Sequence, residues 1–373
     1  VDYKVVQTKE FVPVYYSVDL KQTIYGHQDA VNKEVKYYSW SERSDAPLTE
    51  GTSDKYDIIY NVDKDRVSSG RIDTNQNGAN INKDFIGNSA NYPGGAIDNE
   101  NGTIGDITGD FIDNSASAGG AIYNGYNSTI DNIVGDFIKN NATIGGAIDN
   151  ANGTIGNITG NFIGNRANEA GGAISNRDCS QVATSLADSD DSLETMNNDA
   201  YNTVIGNITG NFIGNSANNA GGAICNEMGS IGNITGDFVG NSANGVGGAI
   251  ANGGSAIGNI TGDFIGNSAS LGGAIYNFDR AEVDESLTPS DDFLEAMNNN
   301  GFNTVIGNIT GNFIGNRALS GGAIYNIYSA IGNITGDFIG NNGFNSGGAI
   351  YNDSAIIGNI TGDFIGNYTG STG

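Results

Sequence analysis

Gly171-Gly172-Ala173-Ile174-Ser175-Asn176 recurs along most of this chain, with only its fifth residue free to change. Gly-Gly-Ala-Ile occurs nine times, beginning at Gly94, Gly119, Gly145, Gly171, Gly221, Gly247, Gly272, Gly321 and Gly347. A second motif, Phe-x-x-Asn, occurs ten times, with its rings at Phe85, Phe111, Phe137, Phe162, Phe212, Phe238, Phe264, Phe313, Phe338 and Phe364. All but the last precede a Gly-Gly-Ala-Ile copy. Successive rings lie 25 or 26 residues apart, save two gaps of 50 and 49. A fixed period of this size is the mark of stacked repeats, each too small to bury its own apolar face.

One unit, from Ile231 to Ala256, contains three short apolar segments: Ile-Gly-Asn-Ile, Asp-Phe-Val-Gly-Asn and Gly-Ala-Ile-x-Asn. Each is too short for a helix, and glycine at this density costs a helix roughly 1 kcal/mol per residue. Short strands with Gly and Asn corners fit instead. The sequence therefore predicts an all-β fold: a single-stranded parallel β-helix, or β-solenoid, of about ten rungs. Rungs stack about 4.8 Å apart, which places equivalent residues over one another. Ile104 to Ile331, the phenylalanines, and Ile97 to Ile350 are then three interior ladders. Phe and Ile are adjacent in Phe-Ile-Gly-Asn, and strict alternation leaves open which of the two faces inward.

Asparagine recurs in the same two places of each unit: Asn88 to Asn367 after Phe, and Asn99 to Asn352 at the end of Gly-Gly-Ala-Ile-x-Asn. Amides at such positions suit sharp corners and hydrogen-bonded columns, so these are read as structural. Asn157-Ile158-Thr159 and Asn233-Ile234-Thr235 match the glycosylation acceptor pattern; ladder geometry generates that match, and it is read as coincidental.

Residues 1–77 are a different kind of sequence. They hold the only Trp (Trp40), the only His (His27) and β-forming runs at 11–18 and 57–62. They are expected to form a β-rich cap on the first rung or a docking segment, with the repeat domain occupying 78–373. The two long gaps hold matching 24-residue insertions, at about 177–203 and 278–304. Ser189 to Asn198 aligns with Ser290 to Asn299, and each reads as a short capped helix. Asp190, Asp191, Leu193 and Met196, with Asp291, Asp292, Phe293, Leu294 and Met297, are the candidate partner-binding residues. Insertions on a solenoid commonly decorate a binding face, although flank packing accounts for them as well.

The net charge is −26. Residues 1–71 are nearly balanced, with 10 Lys and Arg against 12 Asp and Glu, so the repeats carry 6 against 30. Nucleic acid and anionic membrane surfaces are repelled by such a rod and are not expected partners. No apolar run is long enough to cross a bilayer as a helix. No signal peptide is present, and Val1 fits a terminus left by removal of one. Cys179 and Cys225 are compatible with a bridge or with two separate thiols. Neither a catalytic set, a zinc spacing nor a phosphate loop is found, and no cofactor or metal is expected. Asp occurs at repeat positions instead of converging, which weighs against a polysaccharide-active enzyme, the third choice.

Repeated Gly-Gly-Ala-Ile together with Phe-x-x-Asn resembles the repeats of the chlamydial polymorphic membrane proteins and related autotransporter adhesin passengers. The resemblance covers about residues 78–367. It implies a secreted, non-enzymatic β-helix displayed at the cell surface, with a host-cell or neighbouring-cell receptor, a glycan or other copies of itself as partner. A C-terminal barrel-forming stretch of that family is not present here, and the units are more regular. Phe364-Ile365-Gly366-Asn367 lacks a following Gly-Gly-Ala-Ile, so an open last rung that docks residues 1–70 of another copy, building a head-to-tail fibre, is the alternative function.

Overall fold

In the computed structural model, side chains are described for residues 78–178, 203–279 and 304–370, and backbone strands also between 14 and 77. All regular structure among these residues is β. The chain winds as a parallel β-solenoid. Ile-x-Asn strands from Ile72–Thr74 to Ile350–Asp353 form a sheet ten strands deep, so nine turns separate the first from the last. The stacking reaches back past Gly78: Ile72 lies beside Ile97, and Val67 beside Asp84.

Each turn has four walls, where three strands per unit were expected. The Gly-Gly-Ala-Ile wall contributes Ile-x-Asn. The Ile-Gly-Asn-Ile wall is one strand at Asn77–Asn82 and Thr103–Thr108, and from Thr129–Ile130 onward it breaks in its middle, so that each rung supplies two dipeptide strands, such as Ser230–Ile231 and Ile234–Thr235. The Phe wall supplies Phe-Ile, as at Phe264–Ile265. A fourth wall follows the Phe-x-x-Asn asparagine, with strands such as Ser242–Ala243 and Arg317–Ser320. It escaped the sequence reading because its buried residue is small, as at Ala217, Ala243 and Ala318, and its bulkier apolar residues, such as Ile144, Val246 and Leu271, do not recur as one residue type.

Pairing is in register. Phe212 lies beside Phe238 and Phe264 beside Phe313, so the 49-residue spacing of the latter pair spans one turn plus an insertion. The rings from Phe85 to Phe364 form one continuous stack, with centroids 4.7 to 5.0 Å apart and planes within 7° of parallel. Phe faces inward and its neighbouring Ile outward, which settles the ambiguity. Phe85 to Phe338 are fully buried within the core, whereas the Ile beside them stays out of the core cluster: Ile213, Ile265 and Ile314 are half-buried on the outer side of the same strand, and Ile112, Ile138 and Ile163 are covered there. The three expected ladders line the interior. A further one, Ile107 to Ile334, is supplied by the second isoleucine of Ile-Gly-Asn-Ile. Burying one such side chain contributes roughly 1.5–3 kcal/mol.

The paired glycines have separate reasons. Gly171 has φ +66°, and a Cβ there would sit 2.3 Å from the Ile174 carbonyl oxygen. Gly172 passes so close to the next rung that a Cβ would lie 1.9 Å from the Gly222 oxygen. The first glycine makes the turn, and the second lets adjacent turns approach.

Between residues 14 and 60 the described backbone forms a five-stranded antiparallel sheet, with Val14–Ser17 between Gln22–Gln28 and Asp57–Tyr60. Whether its side chains cover the first rung lies outside the described residues.

Candidate interaction surface

The two buried asparagine columns are fully committed to the fold. Asn215 donates from Nδ2 to Asn241 Oδ1 and to the Phe162 carbonyl, while its own Oδ1 accepts from the backbone N–H and Nδ2 of Asn165. Every hydrogen-bonding capacity of that amide is used. The bond to the Phe carbonyl one turn back explains why Phe and Asn recur three residues apart. In the other column, Asn226 donates to Asn252 Oδ1 at 2.9 Å and to the Ala256 carbonyl at 3.1 Å. Neither column reaches solvent in the middle of the rod.

A third asparagine column points the other way. Seven Asn-Ile-Thr triplets begin at Asn157, Asn207, Asn233, Asn259, Asn308, Asn333 and Asn359, on consecutive turns. Their side chains alternate out, in, out: Asn and Thr are exposed in all seven, and the Ile between them is buried in all but the last. Each Asn is held by the turn that follows. The Asn233 N–H donates to Asn207 Oδ1, Asn259 to Asn233, Asn308 to Asn259 and Asn333 to Asn308, each at 2.8 Å. That bond takes one Oδ1 lone pair and leaves the Nδ2 hydrogens and the second lone pair for solvent. From Asn207 onward neither Nδ2 nor the Thr hydroxyl makes a hydrogen bond among the described residues. The result is two parallel polar columns, an amide donor and a hydroxyl on every turn, at the 4.7–4.8 Å interval measured between the rings inside.

The strip carries no charge, but its border does. Two residues beyond each Thr stands Asn161, Asn211, Asp237, Asp263, Asn312, Asp337 or Asp363. One turn before Asn161 the same border has Asp136, whose carboxyl is pushed above its ordinary value of 3.8 by burial, against the opposing effect of hydrogen bonds from the Asn161 backbone and side chain.

Other outward features differ. Tyr276, Tyr325 and Tyr351 stack along the Gly-Gly-Ala-Ile wall, with centroids 5.5 and 4.6 Å apart. Burial is the main cause raising the Tyr325 hydroxyl above its ordinary value; for Tyr351 it is the Asp353 carboxylate. Stacked rings cover one another's faces, so this row shows mostly edges. On the fourth wall an open groove of about 450 Å³ runs past Ser268, Ser270, Arg317, Leu319, Asn342 and Phe344. Asp149 is fully buried and receives a bidentate ion pair from Arg177, with Nη2 2.8 Å from Oδ2 and Nε 3.0 Å from Oδ1. Two departures from the glycine of Phe-Ile-Gly-Asn, Asp113 and Lys139, hold the same left-handed backbone, at φ +54° and +55°.

The partner-binding residues expected from sequence, Asp190, Asp191, Leu193, Met196, Asp291, Asp292, Phe293, Leu294 and Met297, lie outside the described residues, as do both insertion helices and Cys179. Cys225 is buried on the outer side of its strand. Sequence reading passed over the Asn-Ile-Thr strip because its pattern coincides with an acceptor motif. The available signal was that Thr follows Asn-Ile on seven consecutive turns while the position two residues later is Asp on some and Asn on others.

Comparison with protein-family models, with curated proteins and with solved structures returned no match. The resemblance to polymorphic membrane protein repeats therefore rests on the two motifs. Their Phe, Asn, Ala and Ile side chains face inward here, which makes the motifs determinants of the fold.

Proposed function

We propose that this chain is a non-enzymatic, extracellular adhesive rod displayed on a cell surface, where it contacts a receptor or glycan of a host or neighbouring cell. The uninterrupted outward repetition of Asn-Ile-Thr over seven turns supports this reading. Many identical weak contacts on a stiff support add up through effective concentration, which suits attachment better than it suits turnover of one bound molecule. The functional side chains of an enzyme break a repeat and converge, whereas this strip continues it. The test is retention of host-type epithelial cells and of neighbouring bacterial cells on beads coated with the full chain, against beads coated with a heat-unfolded sample. Retention that depends on the folded rod is the expected result; equal retention on both bead types overturns the proposal.

A further inference from the structure

We propose that the Asn-Ile-Thr strip binds a neutral, linear polysaccharide laid along the rod axis, with one sugar ring per turn. The proposal rests on the adhesive reading above and names its ligand. Three properties of the strip select this class. First, its two columns repeat every 4.7–4.8 Å over seven turns, so only a partner that itself repeats at a similar interval can satisfy all of them. A pyranose ring in an extended chain is about as long as one turn is high. Second, the chemistry on each turn matches a sugar hydroxyl, which both donates and accepts. On Asn, Nδ2 donates and the second lone pair of Oδ1 accepts, the first being held by the next turn's N–H, and the Thr hydroxyl does either. The amides are fixed before the ligand arrives, so little side-chain freedom is lost on binding.

Third, charge excludes the main competitor. Both columns are neutral from Asn157 to Thr361, yet they are bordered by Asp237, Asp263, Asp337 and Asp363 on a protein of net charge −26. Uronate-containing or sulfated glycans meet like charge on approach, whereas neutral ones do not. The stacked tyrosines, showing edges, offer no competing platform.

The experiment is co-sedimentation of the full chain with insoluble cellulose, chitin and a neutral mixed-linkage β-glucan, and with polygalacturonate as the anionic comparison. Two triple variants accompany it: Thr235→Val, Thr261→Val and Thr310→Val, which keeps shape and removes the hydroxyls, and the same positions changed to Ser. Far-UV circular dichroism and melting establish that both are folded. The expected result is retention on at least one neutral polysaccharide and not on polygalacturonate, about tenfold weaker in the Val variant and nearly unchanged in the Ser variant, because losing three of seven linked contacts acts multiplicatively. Absence of binding to every neutral polysaccharide, preference for the anionic one, or a Val variant that binds as well as the original chain each overturns the proposal. Cell retention separates the two ideas: beads that hold cells equally with original and Val-variant rods leave adhesion standing and remove this strip as its site.

Discussion

Asn215 donates both its backbone N–H and its side-chain Nδ2–H to the single Oδ1 of Asn241, each at 3.0 Å. The same double bond to one oxygen recurs from Asn88 to Asn341. A column of this kind ties backbone to side chain on every turn, so its loss is felt on both neighbours.

Asn215→Ala is expected to destabilise the rod by about 3 kcal/mol or more, since it leaves the Asn165 amide and the Phe162 carbonyl buried without their partner. Asn207→Ala, on the outward column, removes one bond at an exposed site and should cost well under half as much. Urea unfolding followed by far-UV circular dichroism compares the two; equal costs would show that the inward column is not special.

Phe238 lies between rings 4.7 and 4.8 Å away and is fully buried. Phe238→Ala is expected to cost about 3–5 kcal/mol, from lost burial and the cavity it leaves. Phe238→Leu should cost roughly a third of that, because most of the volume returns. The same unfolding measurement checks both.

Two glycines that look alike in sequence should respond differently. At Gly222 a Cβ would sit 2.0 Å from the Gly248 oxygen, so Gly222→Ala must push adjacent turns apart. At Gly214, with φ +61°, nothing lies within 4 Å of a Cβ, and Gly214→Ala carries only the left-handed backbone cost of about 1–2 kcal/mol. Limited proteolysis beside thermal melting should show new cleavage near residue 222 in the first variant and a lowered melting temperature without it in the second.

Asp136 gives the pH prediction. Burial raises its native pKa above the ordinary 3.8. Below 3.8 the carboxyl is neutral in folded and unfolded chains alike and has no effect. As pH rises from there through the raised native value the unfolded chain ionises first, so stability falls, and above that value the loss is complete. Asp136→Asn, which keeps the oxygen that accepts from the Asn161 N–H and copies what Asn161 and Asn211 already are, should raise the unfolding midpoint at neutral pH and leave it unchanged at pH 3. A gain that persists undiminished in acid would contradict this origin.

Removing residues 216–241 joins Asn215 to Ser242, two residues that are already followed and preceded by the same neighbours in other units. The shortened chain should fold to a rod one turn, about 4.8 Å, shorter. Small-angle scattering reads that length, and a collapsed or unfolded profile would count against independent turns.

Sequence revealed the solenoid because its inward residues are nearly invariant: Phe at Phe85 to Phe364, Asn in two columns, Gly-Gly-Ala-Ile between them. Periodicity could not tell whether Phe or the adjacent Ile faced inward, since both are apolar and the outward Ile is itself covered, partly at Ile213 and wholly at Ile138. The fourth wall was illegible for the opposite reason, since its buried residue is small and its bulkier apolar ones do not recur as one type. The Asn-Ile-Thr strip was visible as a pattern but not as a surface. Its out-in-out sense depends on where the Ile-Gly-Asn-Ile wall bends, and that is fixed by stacking between turns.

Among the described residues, the ion pair from Arg177 to Asp149, which joins two adjacent turns, has no counterpart elsewhere in the stack. The inward contacts would all be reproduced if the growing chain laid down a segment one whole unit too early or too late, with Phe still over Phe and Asn over Asn. A slip of that kind would strand Asp149, wholly buried, without its guanidinium, at a penalty of several kcal/mol. Asp149 and Arg177 thus work as an address, telling otherwise interchangeable turns which of them is which.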